Sequence, residues 1–254
     1  VAELLDRPVP ELRLTQSDAW PKYGRRTRRG GALDNDDQRI HMDYGNHTLV
    51  HPPAWEAPEA VEILVYLSDV EDCGGPTAVV PREGPDDPAY AWPYLAMPGI
   101  GALPWRNDRE SAESLLRERA PELARLREIL YARERRVRYG IGTVLLYRHD
   151  TWHRGTPLRP GTVRHAHNLT FRRADAGWIG VLQPGWAWAM YGREQRMERL
   201  LAQATVEQRC LLGFPAPGHP YWTADTVEAV AARYGPLGLD VTPYAEALRR
   251  RAAS

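Results

Sequence analysis

Residues 39–44 read RIHMDY, and this stretch determines the predicted fold. Side chains alternate between the two faces of an extended strand, so His41 and Asp43 lie on one face together with Arg39. The other face carries apolar or aromatic residues, as expected for a face that packs against a core: Ile40, Met42 and Tyr44. The pattern predicts a strand that presents an imidazole and a carboxylate side by side.

A second histidine lies far downstream, in Asp150-Thr-Trp-His153, soon after the apolar run at 142–147. Two imidazoles and one carboxylate, with no cysteine nearby, form the ligand set that suits non-haem Fe(II) and leaves coordination positions open. Asp43 and His153 are 153 − 43 = 110 residues apart. They can meet only if both strands belong to one closed or sandwiched sheet, which a double-stranded β-helix (jelly roll) provides. His41, Asp43 and His153 are therefore the candidate metal ligands.

The remaining sequence predicts strands and helices in separate stretches. Val61–Leu67 is rich in β-branched and aromatic residues, and Thr77–Val80 follows a Gly-Gly-Pro turn, so the two are predicted to pair as a hairpin. Residues 107–135 carry apolar residues at helical spacing and predict two amphipathic helices split at Pro121, interpreted as an insertion and not as a site. Further strands are predicted at Val137–Tyr139, Thr143–Tyr147 and Thr162–Phe171, strand or loop at 1–24, and helices at Asp225–Tyr234, after the N-cap Thr223, and at Pro243–Arg251.

The predicted fold class is mainly β with helices, in keeping with 22 prolines and 21 glycines in 254 residues. We expect a single domain over 1–254 with a jelly-roll core at about residues 20–173. The helical insertion at 107–135 and a helical C-terminal extension at 193–254 are added to that core.

Composition limits the partners and the compartment. Lysine and arginine (33) balance aspartate and glutamate (33), so net charge favours neither nucleic acid nor an anionic membrane. Cys73 and Cys210 are too few for a disulfide framework or a zinc ribbon. No run is long enough to span a membrane and the N-terminus lacks a signal-peptide pattern, so the cytoplasm is the expected location. The chain begins with Val1, so an upstream segment could be missing, and the oligomeric state stays open.

Arg164 follows His153 by 164 − 153 = 11 residues, within the strand-like stretch 162–171. Alternation places Arg164 on one face of that strand and turns His165 and His167 to the other, where we expect structural or surface roles. An arginine that points into a barrel needs an anionic partner, because burying an unpaired guanidinium costs too much free energy. A dicarboxylate co-substrate that chelates iron at one end would supply that partner at its other end.

Four pieces of the sequence together resemble the phytanoyl-CoA dioxygenase-like family of Fe(II)/2-oxoglutarate oxygenases, over about residues 20–173. They are HMD at 41–43, SDVEDCGGPTAVVP at 68–81, DTWHRG at 150–155, and Arg164 shortly before NLTFRR. The resemblance implies that His41, Asp43 and His153 bind iron and that Arg164 pairs with the distal carboxylate of 2-oxoglutarate. It also implies that Thr77 lies near the co-substrate and that Lys22, the only lysine in the chain, helps to hold it. Asp43 stands where halogenating members have a small residue, which argues against halogenation.

The function implied is oxidation of a small organic substrate by O2, with release of succinate and CO2, in secondary metabolism by the habit of the family. Hydroxylation is expected, although desaturation, epoxidation and ring formation start from the same chemistry, and the sequence does not name the substrate. The alternative is a jelly-roll binding protein with a structural metal, or an inactive relative without turnover. Arg164 separates the two, because a structural metal site does not need an inward arginine.

Other residues receive plainer interpretations. Arg39 is expected at a solvated rim, and the four arginines of 25–37 form either a solvated loop or an anion patch. Asp150 is expected to cap the turn before His153. Three further histidines are expected in loops or beside the site: His47, His51 and His149. Trp178, Trp186 and Trp188 either line a substrate pocket or pack the core, and the core is expected.

Overall fold

The computed structural model describes residues 1–24, 37–43, 55–90, 103–179 and 194–253. The chain separates into two compact units. Of the described residues, the first unit comprises 1–24, 37–43, 55–90 and 106–173, and the second comprises 103–105, 174–179 and 194–253. A single oxygenase domain over 1–254 stays a prediction.

The first unit contains two antiparallel sheets. Its strands are β1 (Leu12–Tyr23), β2 (Ala60–Tyr66), β3 (Thr77–Val79), β4 (Arg135–Arg136), β5 (Val144–Arg148), β6 (His153–Gly155) and β7 (Val163–Arg173). One sheet has the order β1-β7-β2-β5 and the other has the order β4-β3-β6. Every pairing within the two sheets is antiparallel.

The chain winds from one sheet to the other. After β1 in the four-stranded sheet, the segment with His41 bridges to His153 on β6. The chain returns to the four-stranded sheet with β2, crosses to β3 and β4, and then alternates again through β5, β6 and β7. Two antiparallel sheets wound in this way form a double-stranded β-helix, so the predicted jelly-roll core with added helices is confirmed.

Side-chain alternation separates the inside of the four-stranded sheet from its outside. On β7, Ala166 and Thr170 are buried, whereas His165 is exposed and His167 meets Ser17 at 3.0 Å. This confirms the predicted faces of that strand. The inner face packs in a cluster of buried residues that comprises Leu64, Tyr66, Cys73, Tyr139, Leu158 and Ala166.

The predicted hairpin between the second and third strands is wrong. β2 pairs with β5 and β7, and β3 pairs with β4 and β6, so the two lie in different sheets. A short helix, α2 (Val70–Cys73), and the glycines after it carry the chain across. Gly74 and Gly75 adopt φ values of 66° and 61°, a conformation that glycine reaches without a steric penalty.

The strand predicted at Val137–Tyr139 is also wrong, because β4 ends at Arg136. Tyr139 instead stacks on Tyr66, with ring centroids 3.9 Å apart. The strands predicted at 143–147 and 162–171 are confirmed as β5 and β7, and the uncertain N-terminal stretch contains the long strand β1.

The helical insertion is confirmed as α3 (Arg109–Arg119) and α4 (Pro121–Arg133). Asp108 caps α3 by accepting a hydrogen bond from the main-chain N–H of Ser111 at 3.1 Å. Pro121 begins α4, a position where its missing N–H has no helical partner to lose. A single turn, α1 (Ala2–Leu5), precedes β1.

Over 194–253 the second unit is mainly helical, which confirms the predicted C-terminal extension. Its helices are α5 (Arg196–Gln203), α6 (Val206–Leu211), α7 (Ala224–Tyr234) and α8 (Thr242–Ala253). Thr223 caps α7 by accepting from the N–H of Thr226 at 3.2 Å, as predicted. Trp178 packs in the core of this unit against Tyr221, whereas Trp186 and Trp188 lie outside the described residues. Among the helices that the structure describes, none has the length and hydropathy of a membrane span.

Candidate metal centre

His41, Asp43 and His153 meet inside the jelly roll. One possible ligand atom from each of the three lies within 4.8 Å of the others. The Nε2 atoms of His41 and His153 are 3.8 and 3.4 Å from the Asp43 carboxylate oxygens, and the two imidazole centroids are 4.4 Å apart. The structure therefore brings together the three residues of the predicted ligand set in a group that could hold a metal ion.

The two histidines are positioned in different ways. His153 begins β6 and pairs with Val79 of β3 in a regular ladder. His41 exchanges two main-chain hydrogen bonds of 2.8 Å with His153, but this is an isolated bridge. The prediction of a regular strand at 39–44 is thus wrong over its described part, although Ile40 is fully buried as expected.

Hydrogen bonds to carbonyl oxygens orient both imidazoles. The Nδ1 of His41 lies 3.0 Å from the carbonyl oxygen of Arg39, and the Nδ1 of His153 lies 2.9 Å from that of Thr151. Because a carbonyl oxygen only accepts, each Nδ1 donates its proton there, and each Nε2 is turned towards Asp43. Burial, followed by the nearby His153, lowers the pKa of His41 well below its usual value. A neutral imidazole with an oriented Nε2 is the form that binds metals.

The helical insertion holds the segment before His41 from the side. The main-chain N–H of Ile40 donates to the Tyr131 hydroxyl at 3.0 Å, and Arg127 Nη2 donates to the Ile40 carbonyl at 2.8 Å. Glu113 accepts from Arg127 at 2.7 Å and from Tyr131 at 2.7 Å. Both polar groups of the Ile40 main chain are therefore bound by α4. The interpretation of the insertion as unrelated to any site misses this contact.

The same insertion buries Arg39, which is 4% exposed. Its main-chain N–H donates to the carbonyl of Asn107 at 2.8 Å, and its guanidinium donates to the side-chain oxygen of Asn107 at 3.3 Å. The expected solvated rim position is wrong, because residues that follow 68 positions later cover this arginine.

The residues predicted to hold a co-substrate also gather on the inner face. Lys22 and Arg164 are directly opposite each other on β1 and β7, so they share a face. Lys22 Nζ donates to the carbonyl of Thr156 at 3.1 Å, while Arg164 donates to the carbonyl of Gly75.

Two hydroxyl groups lie next to this basic pair. The guanidinium carbon of Arg164 is 5.8 Å from the Tyr66 ring centroid, and the Tyr66 hydroxyl donates to Thr77 Oγ1 at 2.7 Å. Thr77 pairs with Gly155 across the β3–β6 ladder. A Cβ atom at Gly155 would lie 2.8 Å from Lys22 Nζ, so the glycine leaves room for the lysine. Arg164, Lys22 and Thr77 thus lie together, with Tyr66 as an additional member, and their role towards a co-substrate stays a prediction.

Tyr147 on β5 connects the two groups and was not singled out from the sequence. Its ring centroid is 4.8 Å from that of His153. Burial raises the pKa of Tyr147, the charges of Asp43 and Glu62 raise it further, and the Arg164 guanidinium opposes them. Tyr147 is therefore within electrostatic range of both ends of the site. Its inward position on β5, opposite Glu62, is the pattern that could have indicated it.

Glu62 on β2 is the second residue that sequence reasoning left without a role. It is 7% exposed, and Thr170 Oγ1 donates to its Oε2 at 2.5 Å. Burial raises the pKa of Glu62 well above its usual value, and the nearby charge of Asp43 acts in the same direction.

The remaining candidates lie outside the group. His149 is buried, with its Nδ1 3.2 Å from the carbonyl of Ala60. Asp150 binds Arg148 at 2.8 Å and Arg82 at 3.5 Å within the described part of the chain, so the predicted turn cap is wrong. His47, His51 and the arginines of 25–36 lie outside the described residues.

Comparison with known proteins gives matches among solved structures only. No family model and no curated protein matches the sequence. The chain is similar to AviO1 from Streptomyces viridochromogenes Tue57, with 16% identity, a TM-score of 0.40 and coverage of 67% of this chain and 54% of AviO1. It is similar to HygX from Streptomyces hygroscopicus, whose structure has nickel and 2-oxoglutarate bound, with 17% identity, a TM-score of 0.38 and coverage of 64% and 56%. It is also similar to SnoK, a non-haem alpha-ketoglutarate-dependent carbocyclase from nogalamycin biosynthesis, with 20% identity, a TM-score of 0.40 and coverage of 68% and 58%. The chain spans little more than half of the length of each of these proteins.

Proposed function

We propose that this chain is a non-haem Fe(II)- and 2-oxoglutarate-dependent dioxygenase that hydroxylates a small organic substrate. The observation that carries the proposal is the pairing of two groups inside one jelly roll. His41, Asp43 and His153 supply two nitrogen atoms and one carboxylate within 4.8 Å, and Lys22 and Arg164 supply two positive charges on the inner face of the four-stranded sheet.

The ligand atoms fit iron by their chemistry. Two neutral imidazoles and a carboxylate on one side of a metal form the set that non-haem Fe(II) oxygenases use, and this set leaves positions for further ligands. The carbonyls of Arg39 and Thr151 hold both Nδ1 protons, so both Nε2 atoms are already turned towards Asp43.

Arg164 supports a dianionic co-substrate. Within the described part of the chain its hydrogen-bond partner is the carbonyl of Gly75, and no carboxylate there pairs with it. A partly buried guanidinium with a neutral partner gains strongly from a carboxylate placed within hydrogen-bond reach. Lys22 and the hydroxyls of Tyr66 and Thr77 stand beside it to bind the distal end of 2-oxoglutarate.

Iron, 2-oxoglutarate and O2 would together supply the oxidation of a C–H bond, with succinate and CO2 as by-products. The chain itself contributes binding and orientation. His41, Asp43 and His153 hold the metal from one side, Arg164 and Lys22 fix the far carboxylate of the co-substrate, and the Tyr147 ring covers His153.

The test is an anaerobic titration of the metal-free protein with Fe(II) and then 2-oxoglutarate. A bidentate 2-oxo acid on Fe(II) gives a visible charge-transfer band, which we expect in the wild type. His153→Ala should abolish the band, whereas His165→Ala, which removes an exposed imidazole from the outer face, should retain it.

Absence of the band in folded, iron-loaded wild-type protein would contradict the proposal. The chain would then be a jelly-roll binding protein without turnover, and the next step would be to identify the anion that Arg164 binds. A band that survives in His153→Ala would place the iron elsewhere.

A further inference from the structure

A row of polar side chains runs along the inner face of the four-stranded sheet, next to the metal group. Glu62 on β2 is directly opposite Thr170 on β7, and Thr170 is directly opposite Gln16 on β1. The Thr170 hydroxyl is 2.5 Å from Glu62 Oε2 and 3.0 Å from Gln16 Oε1, and Gln16 Nε2 donates to Asp18 at 3.0 Å. We call Glu62, Thr170, Gln16 and Asp18 the polar row.

The polar row and the basic pair occupy opposite ends of the same sheet face. On β1, alternation places Gln16, Asp18 and Lys22 on one face, with Lys22 six residues beyond Gln16. On β7, Thr170 and Arg164 are separated by the same number of residues. A dicarboxylate is favoured at the basic end. At the other end, the carboxyl group of Asp18 and the acceptor oxygens of Glu62 and Gln16 disfavour an anion.

The burial of Glu62 destabilises the fold. It lies in the strand AVEILVY, where it is the only charged residue, and it is 7% exposed. Among the described residues, its hydrogen-bond partner is Thr170 alone, at Oε2, which leaves Oε1 for a further donor. Glu198, a buried carboxyl group in the second unit, has the positive charge of Arg233 beside it. Burial of a carboxyl group with one neutral partner costs stability, and groups of this kind persist where function requires them.

We propose that the polar row is the substrate subsite of the enzyme, and that Glu62 Oε1 accepts a hydrogen bond from a hydroxyl or amine group of a polar, non-anionic substrate. The inference rests on the proposed function and adds the substrate class to it. Tyr147, which pairs with Glu62 across β5 and contacts His153, forms the wall between the bound group and the metal ligands.

The first test separates a functional from a structural role through stability. Glu62→Gln keeps the size of the side chain and an acceptor for Thr170, and it removes the buried carboxyl group. We expect its unfolding temperature to equal or exceed that of the wild type. Glu198→Gln should unfold at a lower temperature, because it removes the carboxyl group that lies beside the charge of Arg233. The proposal is overturned if Glu62→Gln lowers the unfolding temperature as much as Glu198→Gln does.

The second test measures binding by saturation-transfer NMR on the metal-free protein. The probes are myo-inositol, D-glucosamine and cyclohexanecarboxylate at equal concentration. We expect the first two to bind the wild type and the third not to bind. Glu62→Met, which has no acceptor at this position, should weaken binding of the first two by about tenfold, equivalent to about 1.4 kcal/mol. Glu122→Gln is the control, because its side chain is 87% exposed.

Glu62→Gln then distinguishes the two donors. Retained binding of myo-inositol indicates a hydroxyl donor, and selective loss of D-glucosamine indicates an ammonium group. The proposal is overturned if cyclohexanecarboxylate binds as well as myo-inositol, if Glu62→Met binds like the wild type, or if none of the hydroxyl-bearing probes binds.

The charge-transfer band of the wild type keeps this inference apart from the oxygenase assignment. If the band appears but probe binding is the same in the wild type and in Glu62→Met, the substrate subsite is refuted and the oxygenase proposal stands. No band together with Glu62-dependent probe binding refutes the oxygenase and leaves a ligand site at the polar row.

Discussion

The two sides of the metal group are built by different means. His153 stands in β6, whose main chain pairs with β3 in a regular ladder. His41 and Asp43 stand in a segment that pairs with β6 at a single bridge, and side chains of α4 bind its main chain at Ile40. A ladder fixes its residues through the backbone, whatever the side chains are. The segment of His41 has a few main-chain hydrogen bonds and depends in addition on the side chains of Arg127 and Tyr131.

This difference identifies the more fragile side of the site. Arg127, Glu113 and Tyr131 form a buried hydrogen-bonded network, and the side chains of Arg127 and Glu113 are 3% and 12% exposed. Networks of this kind are rigid when every partner is present and costly when one is removed. We therefore expect changes in the helical insertion, at a distance from the ligands, to alter metal affinity through His41 and Asp43.

The largest expected effect follows from removing the ligand on the fragile side. Asp43→Ala should abolish 2-oxoglutarate-dependent oxygen consumption, because the two histidines alone leave the metal without its anionic ligand. An oxygen electrode measures the rate. Asp72→Ala, which removes an exposed carboxylate from α2, is the control and should keep full activity. A fully active Asp43→Ala would show that the two sides do not form one metal site.

Arg127→Met should have the next largest effect. It leaves the Ile40 carbonyl without the Arg127 donor and the Glu113 carboxylate without its cation, and breaking a buried ion pair costs about 3–5 kcal/mol. Urea unfolding measures the loss in the free energy of unfolding. Arg125→Met, on the same helix, removes a guanidinium that is 76% exposed and should cost about 0–1 kcal/mol.

The double variant Arg127→Met/Glu113→Leu sharpens the comparison. Because it removes both charges, it should recover part of the stability lost in Arg127→Met. Its metal affinity should stay low, since the Ile40 carbonyl still lacks a donor. Equal stability of Arg127→Met and Arg125→Met would contradict the fragile-side interpretation.

Arg164→Ala tests a residue whose position is fixed by a regular strand, β7. It should weaken 2-oxoglutarate binding by the value of a charge-assisted hydrogen bond, about 1.5–3 kcal/mol, and leave Fe(II) affinity unchanged. Titration of the charge-transfer band at fixed Fe(II) gives both constants. Arg173→Ala, at the far end of β7, provides a matched loss of an arginine from the same strand. Unchanged 2-oxoglutarate affinity would place the binding of the co-substrate elsewhere.

Sequence analysis predicts the parts of the site that follow from local alternation. The period of two along a strand predicts that His41 and Asp43 share a face and that Arg164 points away from His165. The 110-residue separation of Asp43 and His153 requires a wound or sandwiched sheet. The hairpin error has the same origin. A local pattern identifies two strands and a turn, but it does not show that α2 carries the chain into the other sheet.

The helical insertion could not be connected to the site from the sequence, because the connection is tertiary. Arg127 and Tyr131 bind Ile40 across 87 and 91 residues, and their helical spacing is the same as that of any amphipathic helix. Arg39 was misplaced for the same reason, since Asn107 covers it from 68 residues away. Glu62 was visible as a lone charge in an apolar strand, and burial is what makes it informative.

Tyr131→Phe is the smallest change that should separate the two sides. It removes one hydroxyl, which accepts from the Ile40 N–H and donates to Glu113. A buried donor without its partner costs about 1 kcal/mol, and if that loss reaches the ligand geometry, the metal dissociation constant should rise about fivefold. Cobalt(II) titration followed by visible absorption measures the affinity, with Tyr23→Phe as the control because Tyr23 is 57% exposed on β1. Lower stability with unchanged cobalt affinity would mean that α4 supports the fold without orienting His41. A matched fall in stability and in cobalt affinity would show that the insertion, although distant in sequence, sets the geometry of the metal group.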